Sequence, residues 1–174
     1  ECWIYCTNVS ANAGYSGIVG RQSYSTSTGW GVWIAPGGIL AIFLNGFTTV
    51  LTSSYTILNN RWTHISAVKS GSTLTVYADG QSVLSSSPGT FTDASTPLVI
   101  GESRDPSNVS WNGNYPFNGY IQDLRIYKGV AKYTSSFVPP LGPNNWTPNN
   151  LSVTAGTGND SLTDTPTSYG TDLG

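Results

Sequence analysis

Apolar and polar residues alternate most cleanly between Thr73 and Asp79. Leu74, Val76 and Ala78 fall on one face, and Thr73, Thr75, Tyr77 and Asp79 on the other. A period of two marks a strand with one face buried. The preceding run, Trp62–Val68, is β-branched and aromatic with apolar residues on both faces, and Ser70-Gly71-Ser72 supplies a turn between the two. Asp79-Gly80 suits a two-residue turn at positive φ, with Gln81–Leu84 as the returning strand. Arg61 to Gly80 and its return thus predict a three-strand antiparallel meander, to which the other strands add.

Glu1–Thr7 alternates Cys2, Ile4 and Cys6 against Trp3 and Tyr5, and Gly17–Arg21 is a short strand. Gly31–Ala35 and Gly38–Leu44 predict a hairpin across Pro36-Gly37, with Asn45-Gly46 as the next turn. Thr48–Ile57 is strand-like, Leu98–Ile100 is a short buried strand, and Tyr120–Tyr127 closes the set. In Val130, Tyr133 and Phe137 the spacing stretches to three and four, which predicts one or two helical turns before Pro139-Pro140. Glu102–Pro116 is the longest polar connection, of a length that compact β-domains usually reserve for function. From Leu141 the chain turns to Asn, Thr, Ser, Gly, Asp and Pro, the composition of an extended linker or arm.

A chain of 174 residues suffices for one core, and 9% charged with 12% aromatic residues suits many short strands joined by polar turns. Seven scattered Lys/Arg and a net charge of −2 argue against a nucleic-acid partner, and no apolar run approaches the roughly 18 residues of a membrane span. The chain contains no Met and opens in mid-strand, so a domain truncated at its N-terminus is expected. Cys2 and Cys6, on one face of a strand, stand about 13 Å apart at ~3.3 Å per residue. That is beyond the roughly 7 Å a disulfide spans. They read as small buried hydrophobes, as suits folding in a reducing cytoplasm.

Catalytic chemistry finds little support. The sole histidine, His64, lies in mid-strand and reads as a packed, hydrogen-bonded residue, and no Gly-rich phosphate cradle or dinucleotide fingerprint is present. Binding fits better. Glycans are held by aromatic faces, with amides and carboxylates reading the hydroxyls. The Glu102–Pro116 loop carries Asp105, Asn108, Trp111, Asn112, Asn114 and Tyr115, which we take as the candidate glycan-binding set. The competing reading folds Trp111 and Tyr115 back onto the edge of the core.

Trp-Thr-His-Ile-Ser (62–66), a Gly turn and Leu-Thr-Val-Tyr-Ala-Asp-Gly (74–80) resemble the laminin-G-like, concanavalin A-type sandwich domains. Phe117 to Pro140 resembles their closing strand and helical turn, especially in copies carried by tailed-phage structural proteins. The words Asn144–Ser152 and Gly158–Asp172 look like the segment that follows such a domain there. The resemblance implies an all-β, two-sheet antiparallel jelly-roll over residues 1–140, with 141–174 as arm. It implies a non-enzymatic virion module of a tail fibre or particle-surface appendage. The partners expected are other virion proteins or copies of itself, together with host-surface carbohydrate. Related sandwich glycosidases carry an acid-x-acid-x-x-acid run, which this chain lacks. The family often holds calcium at a loop edge, which points to Asp105 as the metal residue. The alternative is a secreted lectin-like or cell-adhesion laminin-G module, working extracellularly, for which Asn-x-Ser/Thr sequons at Asn8, Asn108, Asn145, Asn150 and Asn159 would matter.

Overall fold

A computed structural model describes residues 1–10, 15–23, 25–102 and 115–143, with the backbone of 153–154 and 163–164. The chain divides into two compact units, Glu1–Pro140 and Leu141–Gly174. Strands of the first are β1 (Cys2–Cys6), β2 (Ser16–Ser23), β3 (Thr28–Ala35), β4 (Ile39–Leu44), β5 (Thr49–Thr56), β6 (Trp62–Ser70), β7 (Thr73–Ala78), β8 (Gln81–Ser86), β9 (Val99–Ile100) and β10 (Gly119–Gln122). In the second, β11 (Val153–Thr154) pairs antiparallel with β12 (Thr163–Asp164).

The first unit is an all-β sandwich of two five-stranded antiparallel sheets, ordered β10-β1-β6-β7-β8 (sheet A) and β5-β4-β3-β2-β9 (sheet B). The predicted meander is β6-β7-β8. Asp79 (φ 47) and Gly80 (φ 78) form its second turn, and Ala78 pairs with Gln81. Between the sheets, Cys2, Ile4, Cys6, Ile65, Leu74 and Val76 meet Ile18, Val32, Ile34, Leu40, Ile42 and Leu44 in one core cluster. Fully burying each aliphatic side chain of this kind contributes about 1.5–3 kcal/mol. Both cysteines are unpaired and buried within it.

The outer faces are covered as well. Alternation sends Trp33, Ala35, Ala41 and Phe43 to the outside of sheet B, yet they form a second buried cluster. On the outside of sheet A, the Tyr133 and Phe137 rings stack at 3.5 Å. Phe137 then packs against Tyr77 at 5.3 Å and His64 at 5.7 Å. Tyr77 and His64 are therefore buried although the alternation directs them to solvent.

Two expectations are corrected. The closing strand runs only to Gln122, because Asp123 takes up a left-handed conformation (φ 53) that breaks the ladder before Arg125 resumes backbone pairing with Glu1. The helical turn over Val130–Phe137 does not form. The spacing of three and four serves instead to stack Tyr133 on Phe137 in an irregular segment, tied down where the Phe137 N–H donates to the Gly80 carbonyl at 3.0 Å. A 3-10 turn does occur at Pro36–Gly38, between β3 and β4.

Candidate carbohydrate-binding edge

The loop expected to carry recognition leaves sheet B at the end of β9 and returns before β10. Three backbone hydrogen bonds close its neck. Gly101 donates to Ile18 at 2.8 Å, Phe117 donates to Gly101 at 2.8 Å, and Gly17 donates to Tyr115 at 3.0 Å. Both feet of the loop are thus fastened to β2 and to each other.

Beside the neck lies an aromatic wall built on β3 and β4. Trp33 is 1% exposed and meets Phe43 at 5.1 Å and Phe47 at 5.0 Å. Tyr115 adds to it, 6.0 Å from Trp33 and 5.8 Å from Tyr15 in an edge-to-face contact. Such pairs add about 0.5–1.5 kcal/mol each beyond the area they bury. Glycines make the room: a methyl on Gly31 would fall 2.5 Å from Trp33 Nε1 and 2.8 Å from Gln22 Oε1, and one on Gly20 would fall 2.9 Å from the Trp30 carbonyl. Gly in a strand interior marks such close approaches.

Gln22 and Glu102 lie on the same side of sheet B. With Gly17, Val19, Gly20, Trp33 and Val99 they enclose a cavity of about 10 Å³, the room one water requires. Gln22 is buried, and its Nε2 has no hydrogen-bond partner among the described residues. A buried amide donor left unpaired costs roughly 1–3 kcal/mol, so a water or a ligand hydroxyl in this cavity would remove a real penalty.

Of the six expected glycan residues, Tyr115 is half-buried in the aromatic wall, as the fold-back reading anticipates for it. Asp105, Asn108, Trp111, Asn112 and Asn114 lie outside the described residues, and with Asp105 the expected calcium position. Among the described residues no group of three or more His, Cys, Asp or Glu side chains could hold a metal ion, and no helix is long and apolar enough to cross a membrane. Gln22 and Trp33 were not foreseen at this edge.

His64 occupies a different environment, on the far face of sheet A. Its ring packs edge-on to Trp3 at 5.2 Å, and its backbone N–H donates to Asp79 Oδ1 at 2.9 Å. Nε2 stands 3.4 Å from Glu1 Oε2, while Nδ1 is buried without a partner. Burial holds its pKa below the ordinary 6.5 even with the Glu1 carboxylate alongside. Glu1 accepts hydrogen bonds from Lys132 Nζ (2.6 Å), Tyr133 OH (2.5 Å) and Tyr127 OH (3.0 Å). Burial pushes its carboxyl up, but these donors outweigh burial and hold it at about 2. The histidine is packed and hydrogen-bonded through its backbone, as its place in the sequence suggested.

Two five-stranded antiparallel sheets with almost no helix are the architecture of a laminin-G-like jelly-roll sandwich. The chain belongs to the Laminin_G_3 family of the concanavalin A-like lectin/glucanases superfamily, whose model matches residues 1–134. Among solved structures it is similar to mouse laminin α1 chain domains LG4-5, at 19% identity and TM-score 0.52, covering 70% of this chain and 32% of that one. It also matches an S-layer domain-containing protein from Clostridium thermocellum, at 19% identity and TM-score 0.33, over 70% of this chain and 58% of that one. The chain thus spans about a third and somewhat over half of these two proteins. A comparison with curated protein sequences finds no match.

Proposed function

We propose that residues 1–140 are a non-enzymatic adhesion module of a particle-surface appendage of the phage tail-fibre kind. In this reading the 102–116 loop binds host-surface glycans, and 141–174 is the arm toward neighbouring parts of the assembly. The observation that carries the glycan reading is the closed neck. Three hydrogen bonds and the contacts of Tyr115 with Trp33 and with Tyr15 fix both feet of a loop whose sequence holds Trp111 with Asp105, Asn108, Asn112 and Asn114. A rigid frame lowers the entropy lost when a loop grips a ligand. Family membership supports a carbohydrate- or protein-binding role. The likeness of Phe117–Pro140 and of the polar tail to tailed-phage proteins supports the appendage.

A glycan array tests the loop. The wild-type chain retains a discrete set of sugars, and Trp111→Ala reduces that signal about tenfold or more. Equal signals, or none from either protein, would remove the loop as the site. Mass spectrometry of purified particles tests the setting, with the parent polypeptide expected as a stoichiometric component. Recovery only as a secreted protein glycosylated at Asn108 or Asn145 would favour the extracellular lectin-like alternative.

A further inference from the structure

Alternation along β10, β1 and β6 sends every second side chain to the outer face of sheet A, away from the core. The register there sets Tyr120 of β10, Tyr5 of β1 and Trp62 of β6 abreast, since Tyr5 pairs with Tyr120 on one side and with Trp62 on the other. The next row, two residues along, holds Gln122, Trp3 and His64 in the same way. Phe137 packs over His64 and seals that end of the second row. The first row stays open: Tyr120 is 64% exposed, and Tyr5 and Trp62 are half-buried.

Aromatic cross-strand pairs stabilise a sheet, which accounts for Tyr5 against Trp62. It does not account for Tyr120, whose ring stands on a four-residue edge strand and leaves most of its surface in water. Ring centroids step 5.9 Å from Tyr120 to Tyr5 and 5.5 Å on to Trp62. Each step is close to the length of one pyranose unit in an extended chain. Successive ring planes tilt by 51° and 56°. The row therefore offers inclined faces to a chain that turns from unit to unit, and no common plane to a flat crystalline surface. Hydrogen-bonding groups flank the rings on both sides. Gln122 is exposed on one side. On the other lie Thr7 and Asn118, joined where the Thr7 N–H donates to the Asn118 carbonyl at 2.8 Å. Trp3 Nε1, across from Gln122, is a donor without a partner. Neither row contains an acid, a lysine or an arginine.

We infer that the Tyr120–Tyr5–Trp62 row is a stacking site for an extended, soluble, uncharged polysaccharide whose equatorial linkages leave C–H groups on the faces of its sugar rings. Each aromatic ring takes one sugar face, combining a large apolar surface with a polar tip. The amide of Gln122 and the hydroxyl of Thr7 meet the sugar hydroxyls along the two sides of the chain. With no cation in either row, an acidic polysaccharide has nothing to pair with. The site uses no residue of the 102–116 loop and does not rest on that loop's role. Where loop and row engage one polymer, the second contact becomes intramolecular and raises the overall avidity.

Isothermal titration of the full chain with hexamers of β-1,4-linked glucose, mannose and xylose tests this. At least one hexamer is expected to bind saturably, with affinity reduced about tenfold or more in Tyr120→Ala and retained to within about twofold in Tyr120→Phe. Tyr120 is largely exposed, so both variants should fold. Amide and indole NMR signals of Tyr5, Trp62, Tyr120 and Gln122 are expected to shift on titration. A galacturonate hexamer should bind at least tenfold more weakly, and microcrystalline cellulose should not retain the protein. Failure of all three neutral hexamers to bind overturns the proposal, as do shifts confined to other faces, full binding by Tyr120→Ala, or equal binding of the galacturonate hexamer. A dimer in sedimentation that dissociates in Tyr120→Ala also overturns it, because the row would then be a contact between copies. Trp111→Ala should leave hexamer binding unaltered while removing the array signal of the loop, so failure of one site is read apart from failure of the other.

Discussion

Replacing Gly80 by alanine separates the demands of a turn from those of the segment clamped against it. Gly80 sits at φ +78, and a methyl there would collide with the Phe137 carbonyl oxygen while lying 3.1 Å from Pro139 Cδ. Gly71, in the first turn of the same meander, has φ +55 with open space around it. Left-handed backbone costs alanine roughly 1–2 kcal/mol, so Gly71→Ala should lose about 1 kcal/mol. Gly80→Ala loses that and more. The Phe137–Gly80 hydrogen bond is worth about 0.5–1.5 kcal/mol, and the displaced ring exposes part of Tyr77 and His64, for a total of about 3 kcal/mol. At about 3 °C per kcal/mol for a domain of this size, Tm should fall by ~3 °C in one variant and ~9 °C in the other. Urea denaturation followed by tryptophan fluorescence measures both. Losses equal to within about 0.5 kcal/mol would refute the claim that the Tyr133–Phe137 segment is locked onto the hairpin.

Stability should also fall in acid in two stages. His64, held below 6.5 by burial, takes up its proton at a lower pH when folded than when unfolded. Stability therefore drops below about pH 6.5 by up to ~1.4 kcal/mol per pH unit. His64→Gln should flatten the fall in denaturation midpoints just below pH 6.5, and an unchanged slope would count against the burial. Glu1, depressed from 4.5 to about 2 with a side chain 2% exposed, contributes about 3 kcal/mol above pH ~4.5. That contribution disappears as pH falls toward 2, and Glu1→Gln should remove this second decline. Burial pushes the Cys2 thiol up to about 12 and raises Cys6 as well. Iodoacetamide at pH 8 should modify neither in the folded protein and both in urea, as counted by mass spectrometry. Asp79→Ala deprives the His64 N–H, the Arg61 guanidinium and the Tyr55 hydroxyl of their acceptor. It should cost about 2–3 kcal/mol by urea denaturation, with Asp79→Asn retaining most of the loss.

The meander was legible because its alternation is local: Leu74 and Val76 point inward wherever the other sheet comes to rest. The hairpin at Pro36 and the unpaired cysteines followed for similar reasons. Burial of Tyr77 and His64 was not legible, since period two marks only two faces and Phe137, more than fifty residues away, decides whether the second meets water. The stretch from Val130 misled because a spacing of four also results when two rings stack across an irregular bend. At the loop edge, the aromatic and amide composition was visible, but the recruitment of Gln22 and Trp33 was not. It depends on Gly20 and Gly31 lying across from each other on β2 and β3. The available signal was two glycines inside strand-like runs, which mark places where something approaches the backbone.

The clamp between Gly80 and Phe137 also sets an order of events during synthesis. Until residue 137 has left the ribosome, the outer face of sheet A has no cover for Tyr77 and His64, and β1 lacks its partners at Gly119–Gln122 and Arg125. The nascent domain must therefore carry an aromatic, aggregation-prone surface through most of its translation. Its final closure is a late docking of sequence-distant ends, the kind of contact that slows folding.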